Sequence, residues 1–218
     1  GVSAKLKNGK LVNLFAPAVF DEEFMTPIGF GALMGILKNY EAINPFVSSS
    51  TDSLNRLKPG YEAPVCIVTS LGRSAAEPSR NRTILVGLVR DRKSPMATRF
   101  ELRAPNPKSN TYLVLAASYM AMLDGIRHAL ESEKTPKELE ASLSKKYGEE
   151  DFYLEKNREY RSEKDVFEDY TAEERNKFFG VAPATVWQNV QGWVEYPEKV
   201  AAISGDGVFT EKSLESYK

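Results

Sequence analysis

The chain has 218 residues, of which 42% are hydrophobic and 11% aromatic, so it can bury a sizeable core and is not an intrinsically disordered protein. Its 29 basic and 30 acidic residues give a net charge of -1, which excludes a general electrostatic attraction to nucleic acid or to an anionic membrane. The single cysteine, Cys66, excludes an internal disulfide framework and predicts a cytoplasmic protein in a reducing compartment. The single histidine, His128, excludes a multi-histidine metal site.

The predicted elements begin with two strands around an Asn8-Gly9 turn. This pattern is already under way at Gly1, and we therefore interpret the sequence as a piece of a longer chain. A helix is predicted from Asp21 to Ile43, where apolar residues recur at helical spacing before a stop at Asn44-Pro45. Three glycines each weaken that helix by up to about 1 kcal/mol, which predicts a close approach to a neighbouring element. They are Gly29, Gly31 and Gly35.

A long polar loop, VSSSTDSLNRLKPG, separates this helix from three strand-like segments. The segments run from Ala63 to Thr69, from Arg82 to Arg90 and from Thr98 to Ala104. Because polar loops connect them, an antiparallel sheet is the expected arrangement. The stretch NTYLVLAASYMAMLDGIRHAL then predicts a long, mostly buried helix, since apolar and small residues occupy nearly all of its circumference.

The pattern changes after residue 130, which predicts two parts: residues 1–130, built around the sheet, and a charged, mostly helical region over residues 131–218. In the second part, Thr135–Glu138 and Thr171–Glu174 have the sequence of a capping box. Between them, the stretch KKYGEEDFYLEKNREYRSEKD is expected to be a solvated insertion, either helical or irregular. The predicted fold class is α+β, with an antiparallel sheet packed against helices.

The strand RFELR carries the strongest chemical signal. Its side-chain period of two places Arg99, Glu101 and Arg103 on one face and two apolar residues on the other. A solvated sheet face with alternating charges explains this pentapeptide taken alone. Three further charged residues flank the predicted sheet, however: Arg56, Glu62 and Arg82. Arginines suit phosphate oxygens and a carboxylate among them suits a hard divalent cation, so the set predicts polyphosphate chemistry.

The order of motifs resembles the C-terminal part of the glutamine synthetase catalytic domain. The resemblance rests on NGKLVNLF, NPFVSSSTDSLNRLKPGYEAPV, NRT, RFELRAPNP and NTYLVLAASYMAMLDGI, which run in the family's order from about residue 8 to residue 127. The combination of RLxPGYEAP with RxExRxPxP is specific to this family. It implies that the sheet is part of the glutamine synthetase catalytic barrel.

The resemblance implies a role for each charged residue near the sheet. Arg56 would hold the carboxylate of substrate glutamate, and Glu62 would lie on a flap, bind ammonium and take its proton. Arg82 would face the phosphoryl group in transfer, and Arg99 would contact the phosphates of ATP. Two further roles come from the RFELR strand: Glu101 would ligate a divalent metal, and Arg103 would contact glutamate or its phosphorylated intermediate.

The implied activity is an ATP-dependent ligase that joins glutamate and ammonium to form glutamine through γ-glutamyl phosphate. ATP and Mg²⁺, or Mn²⁺, are the implied cofactors, and a homo-oligomer is the implied assembly. No nucleic acid or membrane partner is expected. The family's N-terminal domain and most of its metal ligands match no residue here, so we expect these 218 residues alone to be inactive.

One departure from the family's pattern leaves alternatives open. The family usually carries another arginine five residues after the one matched by Arg82, but Gly87 stands there. Arg90 is a candidate to replace that arginine, although its side chain has the opposite strand parity. A related enzyme that joins glutamate to a larger amine would use the same arginines. A non-catalytic domain that retains the sheet is the other alternative, although it has no need for clustered charges.

Overall fold

The computed structural model describes residues 1–55, 57, 64, 66–183 and 185–216. It begins with a hairpin of β1 (Ser3–Lys5) and β2 (Leu11–Asn13), in which Ala4 pairs with Val12. Gly9 has a φ of 83° in the connecting turn, a conformation that glycine adopts without steric cost. The predicted first hairpin is confirmed.

The single helix predicted over residues 21–43 is two helices, α1 (Pro27–Lys38) and α2 (Tyr40–Val47). The first starts late because the Thr26 hydroxyl accepts a hydrogen bond from the amide of Gly29 and so caps the helix. The predicted stop was also wrong, because α2 continues through Pro45. Every residue of α2 is buried, and this burial outweighs the hydrogen bond lost at the proline.

Helix α1 crosses α4 (Thr111–Glu131) with the two backbones nearly in contact. A Cβ atom on Gly35 would lie 2.0 Å from the carbonyl oxygen of Ala121, and one on Gly31 would lie 2.7 Å from that of Gly125. The close approach predicted from the helix glycines is therefore confirmed. Short helix α3 (Thr51–Asn55) follows α2.

The central sheet has the strand order β3 (Thr69–Ser70), β6 (Val86–Val89), β7 (Arg99–Leu102). Strands β6 and β7 are antiparallel as predicted, but β3 and β6 are parallel, so the sheet is mixed. The reason is a small hairpin between them in sequence, formed by β4 (Gly72–Ser74) and β5 (Glu77–Pro78). Because the chain reverses its direction within this hairpin, β6 can run in the same direction as β3. The prediction treated this segment as a simple loop. The α+β class itself is confirmed.

The remaining helices are α5 (Pro136–Leu143), α6 (Ala172–Phe178), α7 (Val186–Glu195), α8 (Pro197–Ser204) and α9 (Glu211–Glu215). Both predicted capping boxes are present at the starts of α5 and α6. The hydrophobic core includes residues from both predicted parts of the chain, and the boundary at residue 130 stays a prediction. No helix in the described ranges combines the length and apolar character needed to cross a bilayer.

The charged stretch after α5 is not the solvated insertion that was predicted. It is irregular, but Tyr153, Leu154 and Tyr160 are buried in the core. Some of its charges, such as Lys146, Glu150 and Lys156, stay exposed, but others pair with buried groups of other elements. The first example is Arg158, whose guanidinium lies 2.6 Å from the carboxylate of Glu41 in α2.

This contact belongs to a buried network of two cations and two carboxylates. Lys199 of α8, only 1% exposed, lies 3.0 Å from Glu41 and 3.0 Å from Glu155. Arg158 also reaches Glu155, at 3.4 Å, and the Tyr160 hydroxyl donates to the same carboxylate at 2.7 Å. The network therefore joins α2, the irregular charged segment and α8, and its two positive and two negative charges balance.

The network also fixes the ionisation of its members. Burial acts to raise the pKa of Glu155, but Arg158, Lys199 and the Tyr160 hydroxyl together lower it below its usual value. Burial acts to lower the pKa of Arg158, whereas Glu41 and other neighbours raise it overall. Burial raises the pKa of Tyr160 well above its usual value. These shifts favour the charged forms of Glu155 and Arg158, which their ion pairs require, and the neutral form of Tyr160.

Candidate active site

Strand β7 presents the predicted two-sided pattern. Arg99 and Glu101 are exposed on one face, and their side chains form an ion pair of 3.3 Å. On the other face Phe100 packs against the core and stacks on Phe15, with ring centroids 4.7 Å apart. Packing of the apolar face thus orients the charged face outward. A cation and a carboxylate stand there within reach of any ligand laid across the sheet.

Arg103 lies one residue beyond β7 and is partly buried. Its backbone amide donates to the carbonyl of Leu85 at 2.9 Å, so the pairing of this strand with its neighbour continues past the strand end. This keeps Arg103 at the strand parity of Arg99 and Glu101. The sequence-based grouping of these three residues on one strand face therefore agrees with the backbone pairing.

Arg82 lies in a different setting, in the segment that connects β5 to β6. It is exposed and lines a cleft of about 1040 Å³. Arg73 of β4 and Arg80, two residues beyond β5, line the same cleft, and four residues of the segment 163–168, including Phe167, also line it. Neither Arg99 nor Glu101 lines this cleft. The structure thus places the predicted site residues in two areas, the cleft and the open sheet face, which β6 connects.

The other two arginines of the cleft were not predicted from the sequence. They stand near the two ends of the stretch GRSAAEPSR, at positions 73 and 80. A hairpin over this stretch would have brought them together, and the Gly72 that starts it was the available signal. Two predicted site residues, Arg56 and Glu62, lie outside the described residues.

Gly87 pairs with Glu101 across the sheet. A Cβ atom at this position would meet nothing closer than the Ile84 side chain, at 3.9 Å. A Cβ atom therefore fits without a clash at the position where the family resemblance implies an arginine. The sheet itself does not require glycine at this position.

Arg90 does not take the place of that arginine. Its guanidinium donates hydrogen bonds to the carbonyl oxygens of Phe20, Glu23 and Ala75, at 2.8 Å in the case of Glu23. It also lies over the Phe20 ring, 4.0 Å from the centroid. These contacts hold Arg90 in a structural role, in which it ties the segment before α1 to the β4–β5 hairpin.

A divalent metal needs several oxygen ligands placed close together. Within the described ranges, no group of three or more His, Cys, Asp or Glu side chains is placed to bind one. Glu101 offers a single, half-exposed carboxylate that Arg99 already neutralises in part. A hard divalent cation takes about six oxygen ligands, so these residues by themselves do not form a metal site.

Comparison with known proteins agrees with the motif order. The family pattern described as the glutamine synthetase catalytic domain matches residues 2–159. The glutamine synthetase of Escherichia coli (strain K12) is 40% identical over 127 residues, which cover 57% of this chain and 24% of that protein. That of Rhizobium meliloti (strain 1021) is 44% identical over 100 residues, or 46% of this chain and 19% of that protein. The chain thus spans less than a quarter of the length of these curated relatives.

A solved structure extends the similarity to the fold. The cryo-EM structure of Plasmodium falciparum glutamine synthetase matches with a TM-score of 0.61 at 21% sequence identity. The match covers 99% of this chain and 41% of that chain. At this identity the match is evidence for a shared fold only. The family pattern, which covers well over half of the chain, settles the relationship: the chain belongs to the glutamine synthetase family, through that family's catalytic domain.

Proposed function

We propose that the chain is part of an ATP-dependent ligase that forms glutamine from glutamate and ammonium through γ-glutamyl phosphate. The observation that carries this proposal is the charged face of β7, where Arg99 and Glu101 stand exposed in a member of the glutamine synthetase family. Arg82, in the neighbouring cleft, adds a second exposed guanidinium. Such an arrangement suits a polyphosphate substrate.

The first step of the proposed reaction activates the glutamate side chain. A carboxylate is a poor acyl donor until one of its oxygens becomes part of a good leaving group, and transfer of the γ-phosphoryl group of ATP achieves this. Phosphoryl transfer depends on positioning and on neutralisation of charge. In the proposal Arg99 binds the phosphates of ATP and Arg82 neutralises the phosphoryl group in transfer. Both side chains are exposed enough to reach a bound nucleotide.

The second step forms the amide. Ammonia attacks the acyl phosphate, the carbon–oxygen bond to phosphate breaks, and phosphate leaves. In the proposal Arg56 and Arg103 hold the glutamate, and Glu62 takes the proton of ammonium so that the neutral amine can attack. Both Arg56 and Glu62 lie outside the described residues, so their roles rest on the family resemblance alone.

Glu101 is proposed to supply one oxygen ligand to a divalent cation, Mg²⁺ or Mn²⁺. A metal of this kind would neutralise the phosphates of ATP when bound. Because the described residues do not complete a site, the remaining ligands would have to come from elsewhere. We therefore propose that the 218 residues alone form no glutamine, and that a homo-oligomer of a longer protein carries the activity. Glutamine production by this chain alone would contradict that part.

Binding of MgATP to the 218-residue chain tests the nucleotide part of the proposal. We expect Arg99→Gln to weaken binding by about tenfold or more, since a hydrogen bond to a charged group contributes roughly 1.5–3 kcal/mol. Arg92→Gln is a matched control, because Arg92 is 78% exposed and pairs with Asp21 instead. Titration calorimetry measures both. Equal weakening of MgATP binding in the two variants would refute the assignment of Arg99 to the nucleotide phosphates.

A further inference from the structure

The segment of residues 160–166 lies just beyond the residues that match the family pattern, yet it contacts the loop that carries Arg82. We propose that Glu163, in this segment, is a positioning residue for Arg82. Its carboxylate fixes the loop of residues 79–83, so that the Arg82 guanidinium faces the cleft in position to bind an anion. The inference rests on the proposed role of Arg82 in binding phosphate.

The segment first attaches to the outer edge of the sheet. The amide of Thr69 in β3 donates to the carbonyl of Tyr160 at 2.8 Å, and the amide of Ser162 donates to the carbonyl of Thr69 at 2.9 Å. Residues 160–162 thereby extend the sheet beside β3, with Arg161 forming a parallel bridge to Thr69. This attachment sets the position of Glu163, the next residue.

The Glu163 carboxylate gathers four donors. It accepts hydrogen bonds from the amides of Gly72, at 2.8 Å, and Leu71, at 3.2 Å, and from the hydroxyl of Ser70. The guanidinium of Arg161 donates to it at 2.7 Å. A carboxylate with this many charge-assisted bonds has little freedom, so Glu163 is a fixed point at the start of the β4–β5 hairpin.

A chain of hydroxyl contacts leads from Glu163 to the Arg82 loop. The Ser70 hydroxyl lies 2.6 Å from the hydroxyl of Ser79, on the returning side of the hairpin. The Ser79 hydroxyl in turn accepts a hydrogen bond from the amide of Asn81 at 3.0 Å. Because each hydroxyl can donate and accept at once, the carboxylate orients both serines and, through them, the backbone before Arg82.

The two neighbours of Arg82 are also held directly. The side-chain amide of Asn81 donates to the carbonyl of Lys164 at 2.8 Å, and the amide of Val166 donates to the hydroxyl of Thr83 at 3.1 Å. That hydroxyl also donates to the Asn81 side chain at 2.7 Å. The backbone is therefore fixed on both sides of Arg82, while its own side chain stays exposed to the cleft.

The test compares two substitutions that remove the same charge from the same cleft. Glu163→Gln disrupts the contacts to Ser70 and the hairpin, whereas Glu168→Gln changes an exposed carboxylate of the cleft wall. Loss of a negative charge alone strengthens the binding of an anion, but loss of positioning weakens it. We therefore expect Glu163→Gln to bind inorganic tripolyphosphate about tenfold more weakly and Glu168→Gln to bind it equally or slightly more tightly.

Arg82→Gln and hydrogen exchange separate this inference from the proposed function. If the unmodified chain does not bind tripolyphosphate, or Arg82→Gln binds it equally well, the proposed role of Arg82 fails. Exchange still decides the positioning claim: Glu163→Gln should speed exchange at the amides of Asn81 and Val166 about tenfold or more, and Glu168→Gln should not. Unchanged exchange rates in Glu163→Gln, or tighter tripolyphosphate binding by both Glu163→Gln and Glu168→Gln, would overturn the positioning role of Glu163.

A second variant guards against a failure of Glu163→Gln to fold. Ser70→Ala removes the hydroxyl that connects Glu163 to Ser79 and leaves every charge in place. It should weaken tripolyphosphate binding and speed exchange at Asn81 in the same direction as Glu163→Gln. If Ser70→Ala changes neither quantity while its thermal unfolding is unchanged, Glu163 does not act through this relay.

Discussion

Lys199→Met is the perturbation that tests the buried ion-pair network most directly. The Lys199 ammonium is 1% exposed and lies 3.0 Å from both Glu41 and Glu155. Methionine fills a similar volume, so the main change is the loss of one positive charge. Glu41 and Glu155 would then share only Arg158, and the buried network would carry a net negative charge.

The expected loss follows from the burial of the network. Removal of one partner from a buried ion pair costs about 3–5 kcal/mol in the free energy of unfolding. For a chain of this size, 1 kcal/mol shifts the Tm by about 2–4 °C, so Lys199→Met should lower the Tm by about 10 °C. The exposed pair of Lys108 and Asp52, at 2.8 Å, supplies the control. Lys108→Met should change the free energy of unfolding far less than Lys199→Met does, because a fully exposed ion pair is screened by solvent.

Urea unfolding followed by circular dichroism measures these differences. The double variant Lys199→Met/Glu155→Gln restores charge balance, because Glu41 and Arg158 remain as a pair. We expect it to recover at least half of the loss caused by Lys199→Met alone. If the single substitution costs no more than the Lys108 control, or if the double variant loses the sum of the two single losses, the network does not act as a coupled unit.

Four further predictions follow from individual contacts. The pKa of Glu155 is lower in the folded state than its unfolded value of about 4.3. The stabilisation that the Glu155 carboxylate contributes is therefore complete above about pH 4.3 and is lost as the pH falls through the lower folded pKa. The difference in unfolding free energy between the unmodified chain and Glu155→Gln, measured in urea from pH 7 down to pH 3, should shrink as the pH falls. Burial raises the pKa of the Cys66 thiol to about 12, so a disulfide reagent at pH 8 should modify it only after unfolding, and rapid labelling of the native chain would refute the assignment. Gly35→Ala should cost about 3 kcal/mol, because its Cβ atom would collide with the backbone of α4, and an unchanged Tm would contradict the close crossing. Gly87→Arg, in contrast, should leave the Tm within about 2 °C of that of the unmodified chain, because a Cβ atom meets no clash at this position opposite Glu101. If the open face binds phosphate, a calorimetric titration should also show tighter tripolyphosphate binding by this variant.

Local signals predicted the local structure well. The Asn8-Gly9 turn, both capping boxes and the two-sided strand at residues 99–102 each depend on a few neighbouring residues, and all are present. The glycines of the first helix also gave the correct inference of a close contact, although the sequence did not indicate that α4 was the partner. Each of these features is therefore readable from the few residues that encode it.

Long-range features could not be predicted in the same way. The parallel pairing of β3 with β6 depends on a hairpin between them that local periodicity did not reveal. The charged segment was expected to face water because composition does not distinguish solvated charges from paired ones. Only the fold brings Arg158 and Glu155 to Lys199. The assigned roles of the candidate site residues, including Arg56 and Glu62 outside the described ranges, stay predictions.

The pairing of β3 with residues 160–162 has a consequence for how the chain folds and for its solubility. The two partners are separated by about 92 residues in sequence, as in the contact of Leu71 with Glu163. Contacts with such large separations form late, because a long loop must close first. Until then the outer edge of β3 exposes unpaired amides and carbonyls, which are a template for pairing between chains. Truncation before residue 160 should therefore favour aggregation even though it leaves all of the residues that match the family pattern in place.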